Sequence, residues 1–374
     1  MGQYKPLSFE DFKNALIYMH VNANGYEDFF YEIYSYSVEG IDDLVESKIF
    51  TNFQGINHLE LIGYCVGECS FFLSDISKEQ FEERRKDENI IMSLSSIVAD
   101  KYLSLNQFSY TEGSLVNRFT PTISTLYVYV NFMLNIVKNY NKKDPGVSLL
   151  ADLFMKSISI CKCTLDLLVR GFETEALSCW RTLHECECAL IILINNNNNV
   201  IQKYLDHMRY GLAFRDTIAD KEQQTKIFNS MKEEMKKYDL KSKDIKKFIE
   251  YGWLYSVPSL KDYPNFKLNF RDGLEKIAGL SAYSKRYEMS SEIIHGTPLL
   301  IYSNREYFYF LTLISTYESF FRLENIFKNV VTNYFSKQQL DSYSQMRSIY
   351  YSRLVSLHKR EINRFNLWQN KHKN

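Results

Sequence analysis

Along almost the whole chain apolar residues recur at three- and four-residue steps, the spacing of helices packed by one face. The segment 173–195 shows it well. At 100° per residue Ala176, Cys179, Leu183, Cys186 and Leu190 share one face. The same rule predicts helices over 26–37, 56–75, 78–105, 121–141, 147–170, 198–218, 220–237, 241–254, 271–295, 305–335 and 338–366. A first helix opens at Ser8, which stands three residues before Asp11 as in a capping box, and closes before Asn24-Gly25. Only 14 Gly and 6 Pro interrupt the pattern. "KIFTNF" at 48 to 53 is the one short strand candidate. The expected fold is mainly α, a multi-helix bundle preceded by an aromatic-rich helical region. A charged run ending in Asp-Pro-Gly, "NYNKKDPG" at 139 to 146, places the boundary between 1–143 and 144–374.

Composition narrows the classes. The chain has 374 residues, 45% of them hydrophobic and 15% aromatic, enough for a large core. Lys plus Arg and Asp plus Glu are each 45, so no global field attracts a polyanion. Charge is nevertheless uneven, because seven Lys or Arg stand against Glu361 alone from Arg347 onward. With Tyr350, Tyr351, Phe365 and Trp368 interleaved, this basic helix suits an anionic partner or a dimer interface, separable from the bundle after about Val355. Seven Cys, several within apolar patterns, read as reduced buried thiols of a cytoplasmic protein. The apolar runs at 122 to 137 and 188 to 194 are too interrupted or too short to cross a membrane. The opening residues do not form a secretory leader, so export is not expected.

The candidate chemistry sits in two stretches. On the helix over 173–195, Arg181, His184 and Glu185 fall together beside an otherwise apolar surface, so these polar groups need partners. Arg181 and Glu185, one turn apart, can pair directly. Alternatively, Glu185 orients Arg181 toward a ligand or toward His295, since a guanidinium held by a carboxylate presents its other donors in a fixed fork. Asp152, Lys156, Ser159, Cys163, Asp166 and Arg170 form a second stripe on the preceding helix, facing either solvent or the Arg181 stripe across a hairpin turned at 170 to 173.

In "YEMSSEIIHG", Tyr287, Ser291 and His295 follow at four-residue steps and Gly296 ends the helix. An imidazole in a last turn feels the negative end of the helix dipole, and Tyr287 and Ser291 can fix its tautomer. A His capping carbonyls at a tight corner is the structural alternative. The two stripes complement each other, so Arg181, Glu185 and His295 are expected to converge, with Tyr287, Ser291 and His184 as further binding candidates.

"LLVRGFETEALSCWRTLHE" followed by "YEMSSEIIHG" resembles an uncharacterised bacterial all-helical family, a domain of unknown function recurring in defence and mobile regions. That family has a distant likeness to the nucleotide-binding helical domains of prokaryotes and higher eukaryotes. The resemblance covers about 147–335 and implies Arg181, Glu185, Tyr287, Ser291 and His295 as its matching positions, with no established activity. The ribonuclease branch of the broader group implies an Arg followed after four to six residues by a His. Arg353 and His358 have that spacing, but Leu354 stands where a polar residue is usual.

No phosphate loop, nucleophile elbow or His-Glu-x-x-His helix is present. His58, Cys65 and Cys69 share a helical face without a fourth ligand, so neither a metal nor a cofactor is expected. Two classes remain. One is a non-catalytic helical sensor or partner-binding module of anti-phage or abortive-infection type, homo-oligomeric or bound to a protein partner. The other is a nuclease-like effector acting on RNA or a nucleotide through Arg181, Glu185 and His295.

Overall fold

The computed structural model describes residues 3–46, 53, 55–74, 76–107, 113–138, 145–298, 304–329, 332 and 335–372. Most of them are helical, and no strand occurs among the described residues. The strand candidate at 48 to 53 lies, except for Phe53, outside them. The chain forms two compact units, Met1–Thr111 and Glu112–Asn374.

The first unit contains α1 (Phe9–Tyr18), α2 (Glu27–Glu46), α3 (His58–Ser74), α4 (Lys78–Arg84) and α5 (Glu88–Gln107). Ser8 caps α1 by accepting the amide of Asp11 at 3.2 Å. One face of α2 (Phe29, Phe30, Ile33, Tyr34, Val38, Ile41) is buried against α3 and α5. The Tyr34 hydroxyl lies 2.6 Å from His58 Nδ1 and accepts the amide of Leu7 at 3.0 Å, tying the entrance of the chain to α3. Cys65 and Cys69 are fully buried, with sulfurs 3.9 Å apart. The single helix expected over 78–105 is two, because the chain turns between Arg84 and Glu88 and the Asp87 carboxylate accepts the amide of Asn89.

The second unit begins with α6 (Gly113–Lys138), which moves the division earlier than the 139–146 run, itself mostly outside the described residues. The physical reason is packing: Phe119, Ile123, Leu126, Val130 and Met133 of α6 are buried in one core with the helices that follow. These are α7 (Pro145–Val169), α8 (Glu173–Ile194), α9 (Asn198–Phe214), α10 (Lys221–Lys236), α11 (Ile245–Tyr251), α12 (Ser284–Ile294), α13 (Arg305–Asn329) and α14 (Lys337–Lys371). α7 and α8 pack as the expected antiparallel hairpin, with Gly171 at the turn in the left-handed region (φ 84°). α13 touches α6, α7, α8 and α14, and is buried on most sides.

The helix expected over 271–295 is also broken. Residues Phe270–Glu275 make a π-helical turn, Gly279 takes φ 75°, and α12 starts only at Ser284. No side chain fits at Gly273, where a Cβ would lie 2.6 Å from the Lys267 carbonyl oxygen. Among the described residues no helix is long and apolar enough to cross a membrane.

Candidate functional site

α8 carries the polar residues singled out above, and the structure sorts them into two groups. The first is enclosed. His184, Glu187 and Glu275 are each 0% exposed. The Nε2–H of His184 donates to Glu275 Oε1 at 2.9 Å, and its Nδ1 lies 3.6 Å from Glu187 Oε2. Glu187 accepts two bonds from Arg322 of α13, through Nε and through a terminal nitrogen at 3.2 Å. Arg322 also donates to the Tyr283 hydroxyl and to Ser319 Oγ, and its guanidinium sits 4.4 Å from the centre of the Tyr283 ring. Ser284 donates to Glu275, and Trp180 Nε1 donates to Ser319 at 3.1 Å. The His184 ring stacks on Trp180, with centroids 5.1 Å apart.

The charge state of His184 follows from this geometry. Burial disfavours its cation, but each ring nitrogen faces a carboxylate oxygen, and the two carboxylates outweigh burial and raise its pKa. A neutral ring would aim a lone pair at one of them. With His184 protonated, the two buried carboxylates meet two cations, enclosed His184 and half-buried Arg322, so the charges balance.

The second group is half-exposed. Arg181 Nε donates to Glu185 Oε1 at 3.2 Å, and a terminal nitrogen donates to Ser291 Oγ at 3.3 Å. The Tyr287 hydroxyl donates to the same Glu185 oxygen at 2.6 Å, while the Arg181 guanidinium lies 4.6 Å from the centre of the Tyr287 ring. Tyr287 stacks in turn on Phe270 at 4.0 Å. Burial and the neighbouring Glu185 carboxylate push its phenol pKa up, so Tyr287 stays protonated. Arg181, Glu185, Tyr287 and Ser291 therefore come together, α8 supplying the first two and α12 the others. His295 occupies the C-cap of α12; its side chain is exposed and has no hydrogen bond or ion pair among the described residues.

Other expectations resolve against packing. Asp152, Lys156, Ser159, Cys163 and Arg170 face solvent, so their stripe does not meet Arg181. His207 is buried with Nδ1 3.3 Å from the Ile249 carbonyl oxygen. His358 stacks on Tyr317 and burial lowers its pKa, whereas Arg353 is exposed. The basic C-terminal helix is not a free arm. Arg347 pairs with buried Glu324 at 2.7 Å, Arg360 and Arg364 pair with buried Glu361, and Thr122 of α6 donates to Glu361 at 2.6 Å. Trp368 Nε1 donates to Glu306 at 3.0 Å, and Tyr350, Phe365 and Trp368 pack on the main core.

Sequence reasoning placed His184 beside Arg181 and Glu185, from which the structure separates it, and missed its partners Glu187 and Glu275 and the Arg322 that holds Glu187. Glu187 follows His184 by three residues, and that spacing was the available signal. Nothing local connects Glu275 or Arg322 to α8, since both arrive through tertiary packing.

Residues 147–306 match a family of unknown function, DUF5677. The matched segment carries both groups except Ser319 and Arg322. No curated protein and no solved structure matches the chain.

Proposed function

We propose that the chain is a non-catalytic helical module, a sensor or partner-binding protein, whose charged α8 residues fix the geometry of the second unit. One observation carries this reading: His184, Glu187 and Glu275 are enclosed and engaged with one another and with half-buried Arg322, leaving no room for a substrate at the imidazole best placed for proton transfer. The half-exposed group supports the same reading. Arg181 is held by Glu185 and Ser291, Tyr287 keeps its proton, and exposed His295 has no partner among the described residues to orient it.

The setting in bacterial anti-phage or abortive-infection defence rests on the resemblance of the α7–α8 and α12 sequences alone. In that setting the module works as a homo-oligomer or on a protein partner in the cytoplasm. The test is incubation of the purified full chain with single-stranded RNA and with nucleoside triphosphates, with light scattering for its oligomeric state. No turnover of either substrate is expected. RNA or nucleotide turnover lost in Arg181→Ala or His295→Ala, with unfolding unchanged, would overturn the reading in favour of a nuclease-like effector.

A further inference from the structure

The first unit holds a groove that lies outside the family match and shares no residue with the network on α8. Along the seam of α2 and α5 a cavity of about 330 Å³ is lined by Glu39, Gly40 and Asp43 from one helix and by Ser95, Ala99 and Asp100 from the other. A second cavity, of about 290 Å³, shares Tyr36 and Met92 with it and adds Glu32 and Glu88, together with Arg85 and Lys86. We propose that this groove binds a linear aliphatic polyamine. The inference goes beyond the function proposed above and does not depend on it.

Charge is the first argument. Glu39, Asp43 and Asp100 are exposed and have no ion pair or hydrogen bond among the described residues. Lys101, the cation next in sequence to Asp100, is turned to Glu68 at 2.6 Å. The second argument is Ser95, which is 2% exposed and whose hydroxyl makes no hydrogen bond. Mid-helix hydroxyls commonly return to the carbonyl four residues back, as Ser96 does to Met92 at 2.8 Å and Ser37 does to Ile33 at 2.7 Å. Ser95 does not, so a residue lining the cavity keeps a buried hydroxyl without the partner that a buried polar group requires.

The third argument is space. Gly40 stands inside α2, where glycine weakens a helix, and a Cβ there would meet nothing within 4 Å. An extended ligand fits better than a compact ion. Among the described residues no three His, Cys, Asp or Glu side chains are grouped to hold a metal. The carboxylates are instead strung along the seam with Tyr36, Leu44, Met92 and Ala99 between them, an alternation that matches ammonium groups joined by methylenes. From Glu32 to Asp43 the α2 rise alone is about 16 Å, a length that an extended polyamine spans.

Calorimetric titration of the full chain with spermine at constant ionic strength tests this. One saturable site is expected. Asp43→Asn and Asp100→Asn should each weaken it about tenfold or more, Ser95→Ala should weaken it by a smaller factor, and Gly40→Leu should abolish it with helical circular dichroism retained. Should Gly40→Leu fail to fold, the two near-isosteric Asn variants decide. Absence of saturable binding overturns the proposal. So does binding that the Asn variants leave unchanged, or heat that Mg²⁺ reproduces at equal ionic strength. A lysine-rich peptide that binds where spermine does not would also overturn it, in favour of a protein partner.

Discussion

Replacing Arg322 by Met keeps most of the side chain's length and removes the cation opposite Glu187. Glu187 is 0% exposed and takes both of its Arg bonds from Arg322, so the substitution leaves a buried carboxylate beside His184 alone. The bonds to the Tyr283 hydroxyl and Ser319 are lost as well. Breaking one partner of a buried pair costs about 3–5 kcal/mol. At roughly 2–4 °C per kcal/mol for a unit of this size, the midpoint of unfolding should fall by about 6–20 °C. All three tryptophans, Trp180, Trp253 and Trp368, belong to the second unit, so their fluorescence reports its unfolding separately from that of the first. Arg322→Met combined with Glu187→Leu removes both charges and should recover more than half of the loss, because a buried ion pair replaced whole by apolar groups is often near neutral. Removing the exposed cation of the Lys226–Glu222 pair is the control and should leave the midpoint unchanged. An Arg322→Met midpoint within about 2 °C of the parent, or a double variant worse than the single one, would refute the reasoning.

Other outcomes follow from the same structure. His184 has a raised folded pKa, so its contribution is fully present below the unfolded value of about 6.5 and is lost as pH rises through the folded one. Between about pH 6 and pH 9 the midpoint of the second unit should fall more in the parent than in His184→Gln, measured by fluorescence melts at each pH. Gly273→Ala forces a Cβ against the Lys267 backbone and should destabilise the second unit by about 1–3 kcal/mol in a denaturant titration. Ending the chain after Val355 removes Glu361, Ile362, Phe365 and Trp368 from the core, so circular dichroism and fluorescence should show an unfolded or severely weakened second unit.

Helical periodicity was legible because it is local. The stripe of α8, the α7–α8 hairpin and the Arg181–Glu185 pair all depend on residues at most one turn or one short connection apart. The pairing of α8 with the Tyr287 and Ser291 face was also legible, because two polar stripes on apolar helices each lacked a partner. Reach failed at His295: four-residue spacing put it on the same face, but it lies at the C-cap, one turn beyond Ser291, where the chain leaves the helix. Long-range partners were hidden. Glu275 comes from a π-helical turn inside a stretch that reads as one regular helix, and Arg322 sits on a helix apolar nearly all round. The basic tail misled for a related reason. Charge counted along the sequence does not show that Glu324 and Glu361 are buried opposite three of its arginines.

The most direct test of the claim that α8's charged residues hold the bundle together compares the unfolding midpoints of His184→Ala and His295→Ala. The enclosed His184, bonded to Glu275 and facing Glu187, predicts a large loss of about 3–5 kcal/mol when its buried carboxylates are left without it. Exposed His295 predicts a midpoint within error of the parent. A stable His184→Ala protein, or a His295→Ala protein that melts well below the parent, would contradict the account.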